Sequence, residues 1–340
     1  MGIVSKIVKG FLIVVAILVV AYFLGPKVEA PELDKTLPEV TADLHALENQ
    51  IKAREKQLKN IRPDNEARII WFDSIPKKTA YSIVYLHGWS ASQEEGDPIH
   101  LETAKRYGCN LYLPRLAGHG LSEEEPMLDL TADAVIDSAK EAIAVAKRLG
   151  EKVIVMGTST GGTLALHLAG GDVDIAGLLL YSPNIEIYDS NAKLLTKPWG
   201  LQLARLVKGG NYHEFDTDID LKNRYWTTKY RLEALTHLQA MVDYTMVPET
   251  FEKVGQPTFL GYFHKNDSIQ DKVVSVPAML RMFDVLGTPA GKKRSIAFTE
   301  VGDHVMTSHV SSKDLESVQK ETNRFIEDVL GIYPVSQSEK

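Results

Sequence analysis

Three residue types along this chain of 340 residues could together break an acyl bond. They are a serine in Gly157-Thr158-Ser159-Thr160-Gly161, an aspartate at 271 or 267, and a histidine at 304. A serine hydroxyl attacks a carbonyl only when a base takes its proton, so an imidazole must stand beside it and a carboxylate behind the imidazole. Hydrogen-bond donors must also face the oxygen that gains charge. The G-x-S-x-G spacing suits a sharp strand-to-helix turn that holds Ser159 Oγ out from the sheet. Glycines at 157 and 161 remove side chains that would collide with the turn or its neighbouring strand. Val153-Ile154-Val155-Met156 ahead of it reads as a short buried strand, and Thr163–Ala169 behind it as a helix. The N–H groups at that helix start would face a developing negative charge.

The partners are sought where open parallel sheets collect ligands, at the carboxyl ends of strands. His304 comes three residues after an expected strand Arg294–Val301, in a loop opened by Gly302. Asp271 and Asp267 both follow the strand that ends near Phe263. Asp271 is preferred because it precedes the apolar start of a helix; Asp267, nearer the strand end, is the alternative. The order Ser, Asp, His is the one that this elbow expects. Asp303 is expected to point away, and His309 is a weaker rival for the base. His87-Gly88-Trp89 ends another strand, where a glycine lets an N–H turn toward the nucleophile. The backbone N–H groups of Trp89 and Thr160 are therefore assigned as oxyanion donors. His119, in Gly118-His119-Gly120, is read as structural.

The elements that must position these groups follow from periodicity. Ala67–Phe72, Ser82–Leu86, Asn110–Leu113, Ile175–Tyr181 and Pro257–Phe263 read as further strands. Ala132–Leu149 reads as a helix with Thr131 as N-cap and Gly150 as its C′ residue. Ser275–Leu286 and about Lys313–Leu330 read as helices too. Strands alternating with helices predict an α/β protein with a mostly parallel sheet covered on both faces. Between Ile185 and Gly255 the pattern breaks into aromatic and amphipathic stretches, with a helix expected over Tyr225–Tyr244. That is too long for a loop and reads as an inserted cap.

Net charge of -7 and a pI near 5.8 argue against a nucleic-acid surface, which needs a basic stripe. No zinc-ligand array, P-loop or G-x-G-x-x-G is present, so neither cofactor nor metal is expected. The single cysteine, Cys109, excludes an internal disulfide and reads as a buried, inert thiol. Phe11–Leu24 is an unbroken apolar run preceded by Lys6 and Lys9. Counted back to Ile3, with the lysines snorkelling, it is long enough to span a bilayer. A cleavable signal peptide is the competing reading; an uncleaved signal anchor is favoured, because Pro31 follows Val28-Glu29-Ala30. The two lysines bias the N-terminus to the cytoplasm and the rest of the chain to the other side. Pro26–Pro38 reads as a tether and Thr41–Asn60 as an amphipathic helix packed on the domain.

The ordered set Leu86-His87-Gly88-Trp89, Arg115-Leu116-Ala117-Gly118-His119-Gly120, Gly157-Thr158-Ser159-Thr160-Gly161-Gly162, Asp271-Lys272-Val273-Val274 and Gly302-Asp303-His304 resembles the α/β-hydrolase superfamily. It most resembles the monoglyceride lipase-like carboxylesterases, grouped with serine aminopeptidase-like hydrolases. The resemblance implies an eight-stranded core, a helical cap before the seventh strand, and hydrolysis without a cofactor. The expected organisation is an anchor at 1–25, a tether and amphipathic helix at 26–66, a hydrolase core at 67–184 and 256–332, and a cap at 185–255. The leading expectation is a membrane-anchored serine carboxylesterase or lipase with a small acyl-ester substrate. A peptidase or amidase acting on short peptides, and a non-catalytic binding protein of the same fold, are the alternatives. The sequence assigns no oligomeric state.

Overall fold

The computed structural model describes residues 2–335 apart from residues 74 and 216. The first helix, α1 (Gly2–Phe23), carries a 20-residue apolar span, Val4–Phe23, none of it buried. At 1.5 Å per residue that is about 30 Å, the thickness of a bilayer core. After Pro26 the chain lies along the domain surface, where Glu32 N–H donates to Asp133 Oδ1 at 2.6 Å and Leu37 and Val40 pack on the core. Helix α2 (Leu44–Gln57) is capped by Asp43 Oδ1, which accepts from Ala46 N–H at 2.9 Å. It buries Leu47 and Ile51, and its Glu55 pairs with Arg115 at 2.8 Å inside the domain.

The elements that follow are β1 (Arg68–Ile70), β2 (Thr79–Leu86), α3 (Ile99–Tyr107), β3 (Asn110–Leu113), α4 (Ala132–Leu149), β4 (Gly150–Thr158), α5 (Thr160–Ala169) and β5 (Ile175–Tyr181). Next come α6 (Gly200–Lys208), β6 (Tyr212–Glu214), α7 (Asp220–Tyr225), β7 (Lys229–Arg231), α8 (Leu232–Thr245) and α9 (Pro248–Glu252). The chain closes with β8 (Thr258–Asn266), β9 (Ile269–Gln270), α10 (Val276–Val285), β10 (Lys293–Phe298) and α11 (Leu315–Phe325).

One eight-stranded sheet runs β1-β3-β2-β4-β5-β8-β10, with β9 paired to β8. All its pairings are parallel except β1 with β3 and β9 with β8. Because side chains alternate along a strand, each central strand serves two cores. Val84, Leu86, Val153, Val155, Leu178 and Leu180 face the core under α4, α5 and α8. Ile83, Tyr85, Ile154, Met156, Leu179 and Tyr181 face the core under α3 and α11. That is why these strands read as unbroken apolar runs. The strand order reverses between β2 and β4, and a crevice opens at such a switch point.

Several local expectations are corrected. Gly150 is not a left-handed helix cap: its φ is -139° and it begins β4, where an added Cβ would lie 2.3 Å from Ser82 N. The expected helix over Tyr225–Tyr244 is broken, since α7 ends at Tyr225 and α8 begins at Leu232. Tertiary hydrogen bonds outweigh helical spacing there: Thr227 N–H donates to Ser90 O at 2.7 Å and Arg231 N–H to Pro126 O at 3.0 Å. The last helix ends at Phe325 and unwinds into a π turn over Ile326–Leu330.

Candidate active site

The carboxyl ends of β2, β4, β5, β8 and β10 are level, because Leu86 pairs with Gly157, Thr158 with Tyr181, Tyr181 with Gly261, and Phe298 with Phe263. The loops after them therefore meet on one edge of the sheet. Ser159 sits between β4 and α5 with φ 53° and ψ -118°, a backbone region sparsely used by residues with a side chain. Its surroundings enforce this. A Cβ at Gly161 would lie 1.8 Å from Leu86 O, and one at Gly157 would lie 2.6 Å from Gly161 C. Ser159 N–H donates to Tyr181 O at 3.0 Å, and Ser159 O accepts from Gly162 and Asn184 N–H at 2.9 and 3.0 Å.

His304 lies in the loop after β10, and its Nδ1 meets Asp271 Oδ2 at 2.6 Å. Asp271 is 1% exposed. Its other oxygen accepts from the N–H groups of Val273 and Val274 at 2.9 and 3.1 Å. Burial alone would raise the Asp271 carboxyl, but the imidazole and these two N–H groups outweigh it, and it sits below its ordinary value. Burial alone would lower His304; the Asp271 charge and hydrogen bond, with Glu95 and Asp303 beyond, hold it above its ordinary value. His304 Nε2, the nitrogen that would face a nucleophile, is buried and has no hydrogen-bond partner among the described residues.

Asp267 does not reach the histidine. It stands on the turn between β8 and β9 with its side chain fully in solvent, 3.7 Å from His264 Nε2. Asp303 points away too, accepting from Val305 N–H at 2.9 Å and lying 3.6 Å from Lys222 Nζ. His309 is 42% exposed, with Nδ1 3.2 Å from Asp97 and Nε2 3.6 Å from Glu94. Its two nitrogens face different carboxylates, and Glu94, Asp97 and His309 are ligand types standing close together. His119 is buried beside His87 and Trp89 at ring distances of 5.0 and 5.4 Å, with Nδ1 2.7 Å from Ala117 O. His87 donates from Nδ1 to Gly88 O at 2.9 Å while its Nε2 accepts from Leu116 N–H at 3.1 Å. Burial, with His119 beside it, lowers His87 to about 3, so it stays neutral and braces the turn.

The N–H groups of Trp89 and Thr160 donate to no protein acceptor among the described residues. Gly88 N–H is taken, and its acceptor is a residue that reading the sequence missed. Glu95, 2% exposed, accepts from Gly88 N–H through Oε2 and lies 3.1 Å from Tyr85 OH. A Cβ built on Gly88 would stand 2.6 Å from Glu95 Oε1 and 3.1 Å from Ser159 Cβ, so Gly88, Glu95 and Ser159 meet at one point. Burial pushes the Glu95 carboxyl up to about 7, against the opposing pull of Gly88 N–H, His304 and Tyr85. The same network joins the serine and histidine loops. Tyr85 OH and Thr158 Oγ1 stand 3.0 Å apart, the Thr158 and Thr307 hydroxyls stand 3.3 Å apart, and Thr307 Oγ1 donates to Glu95 O at 2.7 Å. In the segment between β5 and β8, Tyr225 and Trp226 pack with Ala91 and Val305.

A doubly covered parallel sheet with a serine elbow at its switch point defines an α/β-hydrolase fold. The profile of the Alpha/beta hydrolase family matches residues 83–310, and the chain belongs to that family. A stretch of 105 residues is 30% identical to the thermostable monoacylglycerol lipase of Bacillus sp. (strain H-257), covering 31% of this chain and 41% of that protein. The match thus spans less than half of that relative. The structure from work on LipS and LipT, two metagenome-derived lipolytic enzymes, superposes with a TM-score of 0.60 at 18% identity over 78% of this chain and 99% of that one. Est1E from Butyrivibrio proteoclasticus gives 0.54 at 15% identity over 80% and 98%. At these identities the likeness to the solved structures is one of fold.

Proposed function

We propose that this protein is a serine hydrolase that cleaves carboxylic esters of apolar acyl chains through Ser159, His304 and Asp271, and that α1 anchors it in a membrane. Ser159 Oγ attacks the ester carbonyl while His304 Nε2 takes its proton, and Asp271 holds the ring and stabilises its positive charge. The N–H groups of Trp89 and Thr160 receive the oxyanion. Collapse of the tetrahedral intermediate transfers the proton from His304 to the departing alcohol and leaves an acyl-enzyme. Water, deprotonated by His304, attacks the acyl-enzyme in a second round and restores the serine.

The observation that carries this reading is the pairing of His304 Nδ1 with buried Asp271 at 2.6 Å on the sheet edge that holds the Ser159 elbow. Membership of a hydrolase family and the partial match to a monoacylglycerol lipase support the ester class. The aromatic face of residues 185–255, read as a cap, and the apolar α1 support an acyl chain of low polarity. The reading places the domain beyond the cytoplasmic face, from the lysines ahead of the apolar run. A panel of p-nitrophenyl esters of rising chain length, set beside aminoacyl anilides, tests it. Preferential turnover of the esters is expected; turnover of anilides alone would replace it with an amidase.

A further inference from the structure

Helix α6 turns an apolar side outward. Leu203, Leu206 and Val207, spaced to share one side of the helix, are 42%, 78% and 76% exposed. The opposite side is held to the domain by Leu201, Ala204 and Arg205, the last paired with Glu233 on α8. Scattered exposed leucines are ordinary, whereas a row of them on one short helix is a surface with a purpose.

Where α6 begins identifies what meets that surface. Trp199, just ahead of it, donates from its indole Nε1 to Ala21 O in the last turn of α1 at 3.0 Å, and from its N–H to Pro26 O at 2.9 Å. The indole lies on Gly25, where an added Cβ would stand 2.2 Å from Trp199 Nε1. The helix that carries the apolar row therefore starts beside the end of the 20-residue span. Tryptophan with one apolar and one polar edge is the residue that favours the headgroup level. Lys197 and Lys208 bracket the helix and enter no ion pair among the described residues. Ammonium groups on long stems beside an apolar row suit a lipid headgroup surface.

We propose that the Leu203, Leu206 and Val207 side of α6 lies in the headgroup region of the bilayer that α1 crosses, holding the 185–255 segment against the lipid surface. This rests on the reading of α1 as a membrane anchor. An ester dissolved in the bilayer would then approach the site beside the segment that covers it.

The test uses the full chain in vesicles of equal parts phosphatidylcholine and phosphatidylglycerol, with a fluorophore on Leu206→Cys and lipids carrying nitroxides near the headgroup. Leu18→Cys reports on α1, and Val173→Cys, 83% exposed on the core, is the control. Cys109 is buried, with its thiol pushed up to about 12 by burial, so unlabelled background stays low. Quenching at positions 18 and 206 but not 173 is expected. Quenching at 18 without 206 overturns the docking and leaves the anchor standing; quenching at neither overturns both. Shielding of 206 from a soluble quencher without lipid quenching means that protein covers the helix, which also overturns it. In parallel, Leu206→Asp with Val207→Asp should raise KM for a vesicle-borne ester roughly tenfold, from the apolar burial lost, and leave a soluble short-chain ester unchanged. Equal KM for the vesicle-borne ester in variant and parent overturns the proposal.

Discussion

Glu95 holds the backbone N–H of Gly88 with a carboxylate that is 2% exposed. That bond orients the 88–90 turn, because Gly88 N–H is turned inward while Trp89 N–H meets no protein acceptor among the described residues. Glu95→Gln keeps an acceptor for Gly88, whereas Glu95→Ala leaves a buried N–H unsatisfied. The alanine variant should lose kcat by roughly tenfold or more with KM little changed, since an orphaned N–H costs about 1–3 kcal/mol. The glutamine variant should recover most of that loss. Steady-state kinetics on one ester measures both.

The charge of Glu95 should also show in pH profiles. A histidine can take a proton only when neutral, and His304 is held above its ordinary 6.5 by Asp271, Glu95 and Asp303, against its burial. The acid limb of kcat/KM should therefore fall above pH 6.5, rising as His304 loses its proton. Glu95→Gln removes one of the charges that favour the imidazolium, so its acid limb should move to lower pH. An unmoved limb would mean that Glu95 acts on geometry alone.

The same carboxyl bears on stability with a sign opposite to that of an ion-paired acid. Its folded pKa, about 7, lies above the ordinary 4.5, so between these values the folded state holds more protons than the unfolded one. The contribution of Glu95 to stability must then fall as pH rises through that window, by about 3 kcal/mol at full extent. Denaturant unfolding of parent and Glu95→Gln in detergent at pH 5 and pH 8 should show the parent losing more.

Asp271 and Asp267 give a separating pair. Asp271→Asn should lower kcat about 10⁴-fold by holding the wrong imidazole tautomer. Asp267→Asn should leave kcat unchanged, since its side chain stands in solvent. Equal losses in the two would contradict the geometry at His304.

Much of this was legible in the chain because the relevant signals are local. The elbow at Ser159 is set by glycines whose absent side chains face Leu86 O and Gly161 C, and that requirement is written as G-x-S-x-G. Thr131 caps α4 through Ala134 N–H at 3.2 Å, as its type and place imply. The sequence favours Asp271 over Asp267 only by its place before a helix, although Asn266-Asp267-Ser268 is a turn-forming run that marks a hairpin tip. Glu95 was not legible. It stands in a polar stretch with no periodicity to mark it, and Thr307 and Tyr85 come to it from distant parts of the chain. The break between Tyr225 and Leu232 was hidden for the same reason, because its bonds run to Ser90 and Pro126 far along the chain.

The elbow itself should be intolerant of any side chain at 161. Gly161→Ala puts a Cβ 1.8 Å from Leu86 O, a backbone atom that cannot give way. Destabilisation of at least about 3 kcal/mol is expected, with loss of soluble expression. Gly291→Ala, where nothing lies within 4 Å, should be neutral in the same assay.

The central claim is that Ser159 is a nucleophile activated by His304 and held to its task by Asp271. A fluorophosphonate probe, followed by mass spectrometry of the labelled peptide, tests it most directly. The account predicts one adduct on Ser159, none on Ser159→Ala, and labelling slowed by orders of magnitude in His304→Ala. Ester turnover by Ser159→Ala at the parent rate, or an adduct elsewhere in the chain, would contradict it.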